Sequence, residues 1–476
     1  MTSQQTLAPA GATASAPRQW GLLLVLAANM LIDALEVSTQ TVAMPSIRTD
    51  LDLPLTAAQW TMSGFAVGFG GFMLFGGRLV VLLGRRRVYL AGLLGFAAAS
   101  LAAGLTSDIR LLIATRVVKG CCAALTAPTG LAIITTAFRE GPERSRAVSV
   151  YTLFGASGFT AGLLLSGLLT PVDWHWTMAF PAPVVLVLFA FGLRLVPGGA
   201  PPAGRPGSDI AGALAFTGWL LALTGAIVSL PGRGWGDPRV AGCFALAAVL
   251  LTAFVAVEHA TPSPLLVGRV LRNGPLVRSA IGAAALNGSY LGLLFVATFQ
   301  LQSMPGWTPF RTGLAFLPAS LPLAVTALSS GRMVSRFGPP RLIAAGALST
   351  VAGYALYPRG AAPASYATGV LPTMLLVGAG FVLSFAALNT QAVSGVPAAE
   401  RATAGGTFQT AVQTGAAVML ALVAALCAHR GGPAAPDYGR ALALVTAVGG
   451  LGLLVALTGL LPPRTRRRDE DGDPQP

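Results

Sequence analysis

Charge is scarce in this 476-residue chain: only 10% of its residues are Asp, Glu, Lys or Arg, against about a quarter in an average soluble domain. So few charges cannot clothe a water-soluble surface, which excludes a soluble enzyme or binding module. Cysteine and histidine are scarce too. Cys121, Cys122, Cys243 and Cys427 form no C-x-x-C pair, and His175, His259 and His429 are scattered, so no disulfide framework or metal site is readable. The cysteines read as small apolar packing residues. Lys119 is the only lysine. It lies outside any G-x-x-x-x-G-K-[ST] loop, so ATP is not expected to be the direct energy source.

What the chain has instead is apolar length, with 54% of its residues hydrophobic. Runs of about 20 apolar residues, enough to cross about 30 Å of hydrocarbon as helix, recur from Trp20 almost to the end. They fall at 20–44, 60–82, 87–105, 110–138, 147–170, 176–196, 209–230, 238–259, 276–300, 310–333, 340–358, 366–392, 403–428 and 440–461, which predicts an all-α membrane protein of about fourteen spans. Gly and Pro within the runs suit a helical bundle; an outer-membrane barrel would show short alternating segments.

The net charge of +14 does not mark a nucleic-acid binder, because the basic residues sit between spans rather than on one soluble face. With a cytosolic N-terminus, about 20 basic residues fall at cytosolic ends and about 8 outside, as the positive-inside rule requires. Arg85, Arg86 and Arg87, the Arg139, Arg144, Arg146 cluster, and Arg464, Arg466, Arg467 and Arg468 carry most of this bias. Both termini are therefore expected in the cytosol, with the protein multi-pass in the cytoplasmic membrane. Residues 1–19, rich in Ala, Thr, Ser and Pro, read as a disordered tail, and the long first apolar run with its two acids is unlike a cleaved signal peptide.

The spans divide into two bundles of six with two extra helices between them. Pro197 to Gly207 is a Pro/Gly linker, and Pro262 and Pro264 open a polar, basic stretch ending at Arg278. The expected units are a first bundle over 20–196, a linker with two central spans over 197–275, a second bundle over 276–461 and a tail over 462–476. An internal echo supports the halves: Gly77, Arg78, Leu79, Gly84 and Arg85 resemble Gly331, Arg332, Met333, Gly338 and Arg341. Repeated halves favour a rocking carrier with its site at their interface.

The first span carries the chemistry. Asn29, Asp33, Glu36 and Gln40 are spaced four, three and four residues apart, so on a helix they form one polar stripe. Carboxylates facing lipid would cost about 3 kcal/mol each, so the stripe should face a cavity or a partner. A carboxyl group there can couple protonation to a conformational change, Glu36 ahead of Asp33; the plainer alternative is pairing with basic groups for folding alone. Arg116 and Lys119, close to one turn apart on the fourth span, share a face and offer the counter-charge, although Arg116 is close enough to the span's end to snorkel. Gly155, Gly158, Gly162 and Ser166 give the fifth span a flat packing face, as Gly64, Gly68 and Gly71 do the second. Asn287, Tyr290, Phe299, Gln300, Asn389, Gln391, Gln409 and Gln413, with Asn29 and Gln40, are candidates to line a substrate cavity; helix-to-helix hydrogen bonding is the commoner use of such residues.

These residues also carry a resemblance to the major facilitator superfamily, and within it to the fourteen-helix drug:proton antiporter branch. Leu35 to Pro45 (LEVSTQTVAMP) resembles the branch's first-helix motif L-D-x-T-x-x-N-x-A-L-P, with Glu36 in the acid's place. Gly77 to Arg86 is similar to the loop motif G-x-L-a-D-r-x-G-R-R, keeping Gly77, Arg78, Gly84, Arg85 and Arg86 but with Val81 for the acid. Arg116 to Gly120 resembles R-x-x-Q-G, with Lys119 for the glutamine. Gly162 to Gly167 resembles G-P-x-x-G-G without the proline and with Ser166 for one glycine. Trp174-His175-Trp176 is similar to W-R-W, and Gly234-Trp235-Gly236, Glu258 and Pro264-Leu265 sit as in the branch's central helices.

The resemblance implies a major facilitator fold and a non-enzymatic secondary transporter. It would export small apolar or amphipathic compounds, such as a drug, antibiotic or metabolite, by proton antiport with alternating access. Asp33, Glu36, Arg116 and Lys119 would serve proton coupling; Gly77, Arg78, Gly84, Arg85 and Arg86 the gate; and Gly155, Gly158, Gly162, Ser166 and Gly167 a packing hinge. No cofactor beyond the proton gradient is expected, and the expected partners are substrate, protons and lipid, with the chain a monomer. Two rivals stay open: a proton-coupled importer, because the export-associated motif is altered, and a membrane enzyme or sensor, for which no nucleophile with a base is found.

Overall fold

The computed structural model of the protein describes residues 16–198, 210–261, 272–360, 363, 365–397, 400–428 and 438–460. Parts of the expected tails and linkers, namely residues 1–15, 199–209, 262–271 and 461–476, lie outside the described residues, and with them Pro262, Pro264, Leu265 and the Arg464, Arg466, Arg467, Arg468 run. His429 lies outside them too.

Only helices occur among the described residues. The first half contains α1 (Ala16–Asp50), α2 (Leu55–Ala58), α3 (Trp60–Leu83), α4 (Arg85–Gly104), α5 (Ile109–Ala137), α6 (Pro142–Leu169), α7 (His175–Ala179) and α8 (Pro181–Leu195). Next come α9 (Ile210–Arg233) and α10 (Pro238–Ala260). The second half contains α11 (Gly274–Gln302), α12 (Pro309–Ala315), α13 (Leu317–Thr326), α14 (Ser330–Phe337), α15 (Pro339–Leu356), α16 (Leu371–Ala392, entered through a π-helical turn at Tyr366–Val370), α17 (Arg401–Cys427) and α18 (Tyr438–Thr458).

Twelve helical stretches among the described residues are long and apolar enough to cross a membrane. The other two expected spans differ from simple rods. The run at 310–333 is broken into α12, α13 and α14, because Pro318 removes a backbone donor at the start of α13 and the Ala327–Ser329 turn interrupts the ladder; Pro322 lies within α13. The run at 340–358 is the single helix α15, kept below the apolarity of the others by its Pro-Pro-Arg start and its Ser, Thr and Tyr. At the other end of the chain, α1 already begins at Ala16, so residues 16–19 of the expected tail are helical.

Packing follows the small residues. α1 lies along α6, and α3 along α5; α4 is held by α5 and α8. In the second half α15 lies on α16 and α18, and α11 on α17 and α18. A Cβ at Gly68 would stand 2.1 Å from the Val117 carbonyl oxygen, and one at Gly120 2.2 Å from that of Phe65, so α3 and α5 touch backbone to backbone. Gly346 and Gly380 do the same for α15 and α16, each Cβ meeting the other's carbonyl oxygen at 2.6 Å. α9 pairs with α10 and rests on α3 and α17, which themselves meet across the halves.

The internal echo is geometric as well. Gly84 ends α3 with φ 84° and ψ 147°, and Gly338 ends α14 with φ 76° and ψ 146°. An L-residue pays a steric penalty at such φ values, so both repeats need glycine at the same corner.

Candidate functional site

The polar stripe of α1 points into the interior of the first half, toward α5 and α7, rather than toward lipid. Glu36 is fully buried, and both of its carboxylate oxygens meet cations: Oε2 accepts from Arg116 Nη1, and Oε1 from Lys119 Nζ at 2.5 Å. Arg116 has its remaining donors engaged, Nη2 to the Glu36 carbonyl oxygen at 3.1 Å and Nε to that of Thr61 at 2.6 Å. The Phe65 ring lies under the guanidinium, 5.1 Å from centroid to Cζ, and the Phe96 ring faces the ammonium at 5.2 Å. Two aromatic faces thus take the place of water around two cations that share one carboxylate. Arg116 is at 0% exposure and does not snorkel.

Close to one turn before Glu36 on α1, Asp33 is 3% exposed. Its Oδ2 accepts from Asn29 Nδ2 at 3.0 Å and from Thr126 Oγ1 at 3.1 Å, while Oδ1 has no hydrogen-bond partner. Asn29 is therefore taken up by Asp33. Gln40 donates to Met178 Sδ at 3.3 Å and is fully buried near α7. Both cavity candidates of this helix lie inside the bundle of the first half.

The other candidates divide between the interface of the halves and the edges of the second half. Tyr290 stands at the interface, 5.7 Å from Phe159 of α6 and 5.1 Å from Phe381 of α16 by ring centroids. Phe381 stacks on Phe385, which meets Phe408 at 6.3 Å. Gln413 also reaches the interface, its Cβ packed where a side chain on Gly70 would stand. Asn287 donates to the Val412 carbonyl oxygen and ties α11 to α17. Gln409 is half-buried, Asn389 exposed, and Gln391 buried with its carbonyl oxygen unpartnered. Gln300 is turned away to the loop carbonyls of Pro358 and Gly360, the latter at 2.6 Å, and Phe299 lies beneath the Arg48 guanidinium at 5.9 Å.

The residues expected to form the gate gather at the end where α1 begins. Arg85 donates to Thr136 Oγ1 at 3.1 Å and Arg86 to the Leu193 carbonyl oxygen at 2.6 Å, while Gly77 is open-sided and Arg78 half-buried with a partner of its own. On α6, Gly155 packs on Met30, Gly158 on the Leu31 carbonyl and Gly162 on Ser38 and Leu35. Ser166 donates to the Thr39 carbonyl oxygen at 2.6 Å. Gly167 meets Phe310 of the second half.

That last contact belongs to a seal at the end where α1 finishes. There Gln302 Nε2 donates to the Val42 carbonyl oxygen at 3.0 Å, and Gly313 packs on the Leu163 carbonyl. Toward the opposite end, Thr152 of α6 and Asn389 and Thr390 of α16 are exposed. On the sealed side Trp174 Nε1 donates to Asp50 Oδ2 at 2.9 Å. His175 donates its backbone N–H to Asp173, which together with the imidazole contact holds that carboxyl below the usual carboxylate range.

Sequence reasoning paired Glu36 with Arg116 but missed Thr126, the Asp33 acceptor's second donor, and the aromatic line from Phe159 to Phe408. The four-residue spacing of Phe381 and Phe385 was a usable signal for one helix face; the meeting with Phe159 was not, because it crosses the halves. No cluster of three or more His, Cys, Asp or Glu suited to a metal occurs among the described residues.

Comparison with known proteins agrees with this architecture. The Major Facilitator Superfamily model matches residues 26–420. The chain is 35% identical to the puromycin resistance protein of Streptomyces alboniger, over 96% of this chain and 93% of that one. It is 32% identical to a cephamycin export protein of Amycolatopsis lactamdurans, over 98% and 97%, and 29% identical to the tetracenomycin C resistance and export protein of Streptomyces glaucescens, over 88% and 78%. Among solved structures, a crystal structure of a POT family transporter superposes with TM-score 0.67 at 17% identity, over 94% of this chain and 98% of that one, a likeness of fold alone.

Proposed function

Since the chain belongs to the Major Facilitator Superfamily and is a multi-pass membrane transporter, not an enzyme, we propose that it exports small apolar or amphipathic compounds in exchange for protons, by alternating access. The observation that carries the reading is the fully buried Glu36, Arg116, Lys119 cluster with Asp33 beside it. Four ionisable groups inside an apolar bundle are costly to keep and mark a pathway for charge. The substrate class follows from the other end of the argument. The interface between the halves carries aromatic rings and carboxamides but no buried fixed charge among the described residues, a lining suited to apolar molecules with a few hydrogen-bonding groups.

Alternating access draws support from the one-sided seal. Contacts between the halves at Val42–Gln302, Leu163–Gly313 and Gly167–Phe310 close the end where α1 finishes, and polar residues at the other end are exposed. With the basic loops Arg85 to Arg87 and Arg139 to Arg146 at that other end, the exposed mouth faces the cytosol. An exporter loads its cargo from that side. The two expected bundles, 20–196 and 276–461, are the bodies that rock about the α3–α17 contact between them, and the chain works as a monomer in the cytoplasmic membrane with both termini cytosolic.

The test uses inside-out membrane vesicles from cells producing the protein, energised to an acidic interior, with puromycin, cephamycin and tetracenomycin C offered outside. Export by antiport gives accumulation of at least one compound that collapses with a protonophore. Accumulation only in right-side-out vesicles would make the chain an importer and overturn the reading.

A further inference from the structure

Two carboxyl groups stand close to one turn apart on α1, yet their surroundings differ in kind. Glu36 has no vacancy for a proton: one oxygen is held by Arg116 and the other by Lys119, and the Arg116 fork also grips the Glu36 backbone. Protonating Glu36 would leave two fully buried cations without a counter-ion, which an apolar interior strongly disfavours. Asp33 has the opposite arrangement. It meets no cation, its Oδ2 is served by two neutral donors, and its Oδ1 is buried without a partner.

The groups that face Asp33 come from its own helix and from α4, α5 and α6. Glu36 is on its own helix, Tyr89 on α4, Cys122 and Thr126 on α5, and Tyr151 on α6. All are acidic or neutral. The Tyr89 hydroxyl is fully buried and has no partner either, whereas the Tyr151 hydroxyl is donated to the Ala127 carbonyl oxygen. A proton arriving on Asp33 therefore has an open oxygen to bind and a negative neighbour in Glu36 to favour it.

We infer that Asp33, and not the motif acid Glu36, is the group that takes up and releases the transported proton, with Glu36 staying ionised throughout as the shared counter-ion of Arg116 and Lys119. The inference rests on the proton-antiport reading and divides the labour within that site. The lysine at position 119 is what makes the division: a glutamine there, as in the resembled motif, would leave one oxygen of Glu36 without a cation. In the first half the acid of the motif has become a structural pin, and its neighbour the carrier.

The test is an infrared pH titration of the purified full chain in lipid nanodiscs, reading the C=O stretch of a buried protonated carboxyl, with no substrate required. Wild-type protein is expected to show one such band growing on acidification. Asp33→Asn should lose it, while Asp33→Glu should keep it with a displaced midpoint. Elution of each variant as a monodisperse peak establishes that it is folded. Survival of the band in Asp33→Asn, its absence from wild type, or its loss in Lys119→Gln with Asp33 intact would each overturn the assignment. In the vesicle assay, proton-driven accumulation should be lost in Asp33→Asn. Absence of proton dependence in wild-type vesicles would instead sink the antiport reading and leave the infrared result standing as a property of Asp33.

Discussion

The two halves share a frame but differ in what they bury. Among the described residues, every fully or nearly buried charged side chain, Asp33, Glu36, Arg116 and Lys119, belongs to the first half. The matching interior of the second half is held by hydroxyls and rings instead: Ser289 and Tyr354 share a hydrogen bond at 3.0 Å, and Tyr290, Phe381 and Phe385 form a row of aromatic contacts. The same scaffold thus supports an electrostatic interior and a neutral one. The difference teaches that the repeat specifies helix packing, while chemistry is added to one copy at a time.

The comparison can be broken hardest at its charged end. Glu36→Gln leaves Arg116 and Lys119 buried with no anion between them, and should cost about 3–5 kcal/mol, read as a large fall in the detergent unfolding midpoint or a failure to accumulate in the membrane. The shared frame is probed next. Gly68→Ala in the first half and Gly346→Ala in the second drive a Cβ against a backbone carbonyl, and each should cost about 1–3 kcal/mol; equal losses would show that packing treats the halves alike. In the neutral interior, Tyr354→Phe removes one buried hydrogen bond and should cost about 1 kcal/mol, well below the Glu36 variant in the same unfolding assay. The smallest effect has the opposite sign. Gly77 is helical with open space around its Cα, so Gly77→Ala should raise stability by about 0.5–1 kcal/mol.

Much of this was legible from spacing. Asn29, Asp33 and Glu36 share a face because helical geometry requires it, and Arg116 and Lys119 meet Glu36 because an isolated carboxylate in an apolar run must find a cation. What spacing could not supply is the direction in which a face points. Gln40 was legible as polar, but that it turns to Met178 depends on how α1 is rotated against α7. Hydrophobicity counts also see length and not continuity. The run at 310–333 is largely apolar, yet it is divided at Pro318, because a missing backbone donor interrupts a helix without making it less greasy. Likewise Ala16 to Gln19 look like tail by composition and are helix because Gln19 reaches the Ala137 carbonyl and Arg18 that of Arg194.

The paired corners at Gly84 and Gly338 bear on heredity. A glycine codon can change by one base to Ala, Val, Ser, Cys, Asp, Glu, Arg or Trp, and none of these sits comfortably at φ near 80°. Both positions should therefore stand out as isolated columns of intolerance in a saturation-mutagenesis map, among neighbours such as Gly77 and Gly331 that have room to vary. A frame that repeats its corner carries that corner's fragility in duplicate.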